Sequence, residues 1–356
     1  MDNKLIIVKI GTKTLVDEAG QIKDVIISNV LEVVKERMKM GEKIIIVTSG
    51  AVAAGRAVLG KKDADRSVAA GVGQTHLLSH YLNCARPLGL HISEMLISRP
   101  HLIRRNQFLQ LQEKINKVFS YEKVVPVVNE NDFLVAGSDW SFGDNDSLAA
   151  ALAISFKAEK LIILSHVDGL YTADPTKDST AKLISVVDNV NAELMKCCSA
   201  DSSDVGRGGM ISKLRTARIC TAVGIEVQIV NGAEKKQIER AFQGERVGTT
   251  ILPRGAKDSI KNRERWILSA KSSTASIEVD DGAVGALRRG KSLLAVGIKK
   301  IFGDFENSEI VEIVNNKQEG IAFGLVDINS KELKQKSFAE QSGVQVMHAD
   351  NIVVFG

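Results

Sequence analysis

What this sequence lacks removes several classes of protein. Aromatic residues make up only 4% of the chain and the formal net charge is just +4. A surface that tracks a phosphate backbone needs concentrated positive charge, and base stacking needs aromatic platforms, so nucleic-acid binding as a main activity is disfavoured. No stretch approaches the roughly 18 apolar residues of a membrane span. The opening segment MDNKLIIVKIG has no basic region and no small-residue cleavage site, so it does not read as a signal peptide, and the expected compartment is the cytoplasm. The four cysteines, Cys84, Cys197, Cys198 and Cys220, form no CxxC pair and have no histidine at zinc-ligand spacing. A bridge between the adjacent Cys197 and Cys198 would be strained, which favours reduced, structural thiols. His76 and His80 lie four apart without the zinc-protease motif between them, and spacing reveals no Ser-His-Asp or Cys-His arrangement.

What is present is a chain of 356 residues, 44% hydrophobic and 25% charged, enough for a large α/β domain and a smaller one. Apolar runs at 5–10, 43–48, 92–97, 124–128, 161–164 and 227–230 predict strands, separated by helical stretches such as 24–40, where Ile27, Val30, Leu31, Val34 and Met38 share one face. The runs are continuous rather than alternating, which predicts a mostly parallel sheet with helices on both sides. Ligands of such sheets gather at the C-terminal strand edges. Near Leu252 the pattern breaks. A polar linker at 253–262 is expected between a domain at 1–252 and a β-rich region at 263–356, with strands at 277–279, 292–296, 310–314 and 352–355.

Polar clusters follow the predicted strand ends. Lys9 closes the first strand and is followed by Ile10 and Gly11, where backbone can approach a ligand. Thr48-Ser49-Gly50-Ala51-Val52 offers small residues and a helix start, hence backbone N–H groups for an anion. A glycine-rich loop, Gly206-Arg207-Gly208-Gly209-Met210-Ile211-Ser212-Lys213, runs into another helix and suits phosphate. It has neither Walker A spacing nor the dinucleotide fingerprint, so P-loop and Rossmann readings lose support. Asn129-Glu130-Asn131-Asp132 follows a strand, and Gly143-Asp144-Asn145-Asp146 precedes a helix expected at 147–155. Asp144 or Asn145 could be a helix cap and nothing more. The mixture of carboxylates and amides also suits a zwitterion, whose ammonium needs an acceptor and whose carboxylate needs donors.

In order along the chain, VKIGTKTL, IVTSGAVAAGR, VPVVNEND, GDNDSLAA, DGLYTADP and GRGGMISKL resemble the glutamate 5-kinase branch of the amino acid kinase family, over about residues 4–252. The later IEVDDGAVGALRRGKSLLAVGIKKIFGDF resembles a PUA domain, with a core at about 275–350. The resemblance implies a three-layer α/β/α sandwich and the transfer of phosphate from ATP, with Mg²⁺, to the side-chain carboxylate of L-glutamate, the first step of proline synthesis. It implies catalytic roles for Lys9 on the departing phosphoryl group, Lys213 on the nucleotide side and Asp146 as holder of both lysines. Ser49, Asp132 and Asn145 would bind glutamate, with Asp132 on its ammonium. Lys9, Ser165, His166, Arg207, Gly208, Gly209, Met210, Ile211, Ser212 and Lys213 would contact ATP. No residue is assigned to the metal. The acceptor carboxylate is already ionised at neutral pH, so no general base is needed. Relatives often have Thr-Asp where this chain has Ser165-His166, and Thr where it has Arg207. A homo-oligomer and feedback inhibition by proline are implied by the resemblance alone. The competing expectations are a kinase acting on acetylglutamate, aspartate, carbamate or UMP, and an RNA-binding protein using the PUA-like region and Arg288-Arg289-Gly290-Lys291. The low charge and few aromatics speak against RNA, and a solvated basic turn is the simpler account of that run.

Overall fold

The strands of the first part of the chain are β1 (Leu5–Ile10), β2 (Lys43–Val47), β3 (His91–Ile97), β4 (Val124–Glu130), β5 (Lys160–Ser165), β6 (Leu170–Tyr171), β7 (Leu183–Ile184), β8 (Val186–Val187), β9 (Glu226–Asn231) and β10 (Thr249–Ile251). The computed structural model describes residues 4–138, 140–191, 194–195, 209–253, 262–269, 275–335 and 343–354. They fall into two compact units, residues 1–257 and 258–356. In the first unit eight strands form one sheet in the order β3-β4-β2-β1-β5-β9-β10-β8. Pairings from β3 through to β9 are parallel, and β10 runs antiparallel to β9. The expected runs are the observed strands, to within two residues at each end, because β-branched apolar stretches this continuous can be buried on both faces only inside such a sheet.

The helices are α1 (Thr12–Leu15), α2 (Asp24–Lys39), α3 (Ala51–Leu59), α4 (Arg66–Ala85), α5 (Pro100–Ile103), α6 (Arg105–Val118), α7 (Asp132–Val135), α8 (Asn145–Ser155), α9 (Met210–Ala222) and α10 (Lys235–Phe242). Side chains alternate across the sheet. Ile6, Val8 and Ile10 of β1 join one core with Ile27, Val30, Leu31 and Val34 of α2, Leu77 and Tyr81 of α4, and Ile238 and Phe242 of α10. Lys9 therefore points to the opposite face, toward α8. From Leu148 to Ser155 every residue of α8 is buried, as befits a helix apolar all round. That helix begins at Asn145, two residues earlier than expected, because Asp144 is the cap and accepts from the Ser147 N–H at 2.7 Å. Asp146 thus stands in the first turn. Among the described residues no helix is long and apolar enough to cross a membrane.

α3 and α4 cross with their backbones in contact. A Cβ added at Gly55 would lie 1.8 Å from the Ala69 carbonyl oxygen, and one at Gly73 would lie 1.8 Å from that of Ala51. Alanine is the better helix former by about 1 kcal/mol, but no side-chain rotation relieves a clash with backbone. Gly73→Ala is therefore expected to destabilise the protein by roughly 3 kcal/mol, the upper end of overpacking, lowering the melting midpoint by about 6–12 °C. Differential scanning calorimetry checks this, and an unchanged midpoint would contradict the seam.

The second unit comprises α11 (Asn262–Ser269), β11 (Ser276–Val279), α12 (Asp281–Arg288), β12 (Leu293–Leu294), β13 (Ile298–Phe302), β14 (Ile310–Val314), β15 (Gly320–Leu325), α13 (Ser330–Lys334), β16 (Gln345–Met347) and β17 (Ile352–Val354). Five of its strands form a sheet in the order β13-β11-β14-β15-β17, and β12 pairs with β16. It has its own core, which includes Ile277, Ile313, Ala322 and Val346. Arg288, Arg289, Gly290 and Lys291 are exposed at the end of α12.

Candidate active site

β1 delivers Lys9 to the sheet's C-terminal edge, and the first turns of α8 and α9 deliver Asp146 and Lys213 to the same point. Lys9 Nζ lies 2.7 Å from Asp146 Oδ1 and Lys213 Nζ 3.3 Å from Oδ2. All three are buried, with 3%, 0% and 5% of their surface exposed for Lys9, Asp146 and Lys213. Burial alone would raise the Asp146 carboxyl, but the ammoniums of Lys9 and Lys213 outweigh it and hold that group below its ordinary range. For Lys213 burial dominates and lowers its affinity for a proton, opposed by Asp146 and reinforced by Lys9. Within the triad one carboxylate is shared by two ammoniums, one more positive charge than negative, in a place water scarcely reaches, and Asp144 adds a weaker pull on Lys213.

Lys9 and Lys213 line a cavity of about 380 Å³ together with Gly11, Thr12, Lys13, Ser49, Gly50, Ala51, Asn145, Ser165 and Gly209, among others. Three helices start at its wall with glycine as the cap and, among the described residues, no side-chain cap for their first amides: Gly11 for α1, Gly50 for α3 and Gly209 for α9. Orphan N–H groups at a helix start attract anions. Gly50 has φ +97°, and a Cβ there would meet Val16 at 2.7 Å, so this turn accepts no other residue without strain.

Amides and carboxylates line another part of the wall. Ser49 Oγ donates to the Ile10 carbonyl at 2.6 Å. Asn145 donates both amide hydrogens to the protein, to the Thr48 carbonyl at 2.6 Å and to Asn129 Oδ1 at 2.7 Å. Asp132 Oδ1 receives Arg66 at 2.7 Å. Glu130 takes the Ser141 hydroxyl at 3.0 Å and the Phe142 N–H, anchoring the loop before α8, and its burial pushes its carboxyl above the ordinary range. At the end of β5, Ser165 Oγ is buried and has no hydrogen-bond partner among the described residues. Partial burial, then the charges of Lys13, Lys213 and Lys23, hold His166 below the usual histidine range.

The fold brings together most of the residues singled out from the sequence. Lys9, Lys213, Ser49, Asp132, Asn145, Ser165, His166 and Gly209 all line the cavity, and Asp146 lies behind it between the lysines. Ser212 is turned to Asp144, to whose Oδ2 it donates at 2.5 Å, and Met210 and Ile211 are not among the lining residues. Arg207 and Gly208 lie outside the described residues, as do Cys197, Cys198 and most of the expected linker. His76 and His80 pack edge-to-face on α4, with His80 on Asp24. Sequence reading did not single out Lys13, Arg56 or Arg66 as lining residues, and it named Glu130 only within the 129–132 cluster, with no role of its own. Arg66 had one signal: a basic residue in a first helical turn runs against the helix dipole and needs a partner.

Residues 4–231 match the family described as the amino acid kinase family, and residues 275–349 match the PUA domain. Over 99% of its length the chain is 33% identical to glutamate 5-kinase 2 of Pseudoalteromonas translucida, with 99% of that protein covered. It is 34% identical to the glutamate 5-kinase of Vibrio campbellii over 98% of this chain and 95% of that one, and 34% identical to that of Geobacter sulfurreducens over 99% and 97%. Among solved structures, UMP kinase from Ureaplasma parvum aligns with 71% of this chain and all of its own, at 17% identity and a TM-score of 0.48.

Proposed function

The chain belongs to the amino acid kinase family, on its glutamate 5-kinase branch, and from that premise we propose how its residues divide the work of moving a phosphoryl group from ATP to the side-chain carboxylate of L-glutamate. The observation that carries the division is the buried Lys9–Asp146–Lys213 triad with its excess positive charge. In the transfer a carboxylate oxygen forms a bond to the γ-phosphorus while the bond to the β-phosphate oxygen breaks, giving L-glutamyl 5-phosphate and ADP. Both partners are anions, so the barrier is lowered chiefly by positioned positive charge. Lys9 faces the moving phosphoryl group, Lys213 the nucleotide side, and Asp146 keeps both ammoniums aimed.

The free amides at the start of α9, with Gly209 and Lys213, take the ATP phosphates, and the unpartnered Ser165 hydroxyl and His166 meet the nucleotide. Ser49, Asn145 and Asp132 hold glutamate. With both its hydrogens donated to the protein, Asn145 offers Oδ1, an acceptor suited to an ammonium. No group of three or more His, Cys, Asp or Glu side chains among the described residues is placed to hold a metal ion. Mg²⁺ brought with ATP would supply further charge neutralisation at the phosphates, and no residue of this chain is assigned to hold it. Residues 253–262 are taken as the linker to a PUA-containing region at 263–356. Homo-oligomerisation, inhibition by proline and a cytoplasmic location are carried forward from the branch as expectations.

The test is ADP release with L-glutamate, N-acetylglutamate, aspartate, carbamate and UMP offered separately, with hydroxylamine to trap an acyl phosphate. L-Glutamate is expected to support turnover and yield the hydroxamate. Turnover of N-acetylglutamate without turnover of glutamate would overturn the substrate assignment.

A further inference from the structure

Behind Asn145 runs a chain of side-chain amides in which the direction of every hydrogen bond is set. The Thr48 carbonyl can only accept, so the nitrogen of Asn145 must face it. The second hydrogen of that nitrogen goes to Asn129 Oδ1, which also accepts the Glu130 N–H at 2.9 Å, a group that can only donate. The Asn129 nitrogen therefore points away, donating to Gln74 Oε1 at 2.7 Å. Gln74 in turn donates through Nε2 to Glu94 Oε1, and a carboxylate there closes the sequence with an acceptor. Gln74 comes from α4, Glu94 from β3, Asn129 from β4 and Asn145 from α8, so three other elements of the first unit stand behind one substrate-facing amide on the fourth. The outer end of the relay opens on a second cavity, of about 450 Å³, lined by Gln74 and Glu94.

We propose that Gln74 is a positioning residue which, closed by Glu94, holds Asn129 and through it presents Asn145 to the cavity as an acceptor, selecting a substrate with a free ammonium. The inference rests on the reading of Asn145 as a glutamate-binding residue. Nothing in the relay touches the phosphoryl group. A defect in it therefore appears in glutamate binding, whereas general damage to the site would appear equally in ATP binding.

The experiment is steady-state kinetics on the full chain with L-glutamate and ATP varied separately, for the original protein, Gln74→Met, Gln74→Glu and the exchange Gln74→Glu with Glu94→Gln. Gln74→Met leaves the Asn129 donor without an acceptor and is expected to raise KM for glutamate about tenfold, with kcat and KM for ATP within about twofold. Gln74→Glu sets a carboxylate against Glu94 and is expected to do at least as much. In the exchange, the amide of residue 94 donates to the carboxylate at 74, which still accepts from Asn129. KM for glutamate is expected to return to within about threefold of the original. Failure of the original protein to turn over glutamate would remove the functional reading and this inference with it. With that turnover intact, an unchanged glutamate KM in Gln74→Met, a parallel rise in ATP KM, or no recovery in the exchange would each overturn the relay alone.

Discussion

Lys213→Ala is expected to lower kcat by about two to three orders of magnitude, the scale of losing one preorganised group that stabilises charge in the transition state, while the protein stays folded. The reason for the second half is as local as that for the first. Lys213 sits in the first turn of α9, where alanine is a favourable helical residue, and Asp146 keeps Lys9 at 2.7 Å as its partner. What disappears is the excess positive charge. On the proposed roles, two ammoniums held by one carboxylate would act on the phosphoryl group before that loss and a single, fully paired ammonium after it. Because the charge acts mainly as the transfer proceeds, KM for ATP should change far less than kcat. Stopped-time ADP assays with circular dichroism check both halves, and a folded variant with unaltered kcat would remove Lys213 from the chemistry.

Asp146→Asn is expected to be worse in both respects. The substitution keeps the shape but leaves Lys9 and Lys213, 3% and 5% exposed, with no anion between them. Breaking a buried pair by neutralising one member costs roughly 3–5 kcal/mol. The strain is relieved by proton loss from Lys213, whose proton affinity burial already lowers and which loses the Asp146 charge that opposed this. Residual turnover should therefore fall off on the alkaline side at lower pH than in the original protein. In stability the sign runs the other way. The Asp146 carboxyl is held below its unfolded value of 3.8, so its contribution is complete above that value and is lost as pH falls through the lowered one. The difference in urea midpoint between the two proteins should be full at pH 7 and narrow only below about pH 4. A midpoint at pH 7 equal to the original's would falsify the triad's structural role.

Much of this architecture could be read before any coordinates. β1, β2, β4, β5 and β9 were visible as continuous apolar runs, and Lys9 stood out because a lysine in such a run has to be accounted for. Lys213 was marked by the glycines before it, and Asp146 by the acidic cluster in which it lies. Other features depend on the third dimension. Which of Asp144, Asn145 and Asp146 caps α8 follows from a helix start two residues from the expected one, a margin local propensity does not resolve. The pairing of Arg66 with Asp132 spans 66 positions, and that of Gln74 with Asn129 spans 55; nothing along the chain links them. In the second unit β13 escaped notice because Lys299 and Lys300, both exposed, interrupt its apolar character, and β15 because it carries two glycines.

The contact between α3 and α4 also governs how the substrate range could be redesigned. Ala51, whose carbonyl a side chain at position 73 would strike, is the first residue of the turn that lines the cavity. Pressure applied on the far side of α3 is therefore delivered to the first-turn amides at the cavity wall. A library randomised at positions 55 and 73 and selected for turnover should return glycine at both, although neither position lines the cavity. Reshaping for a bulkier acceptor has more freedom on the side of Asp132 and Arg66, where two side chains rather than two backbones form the wall.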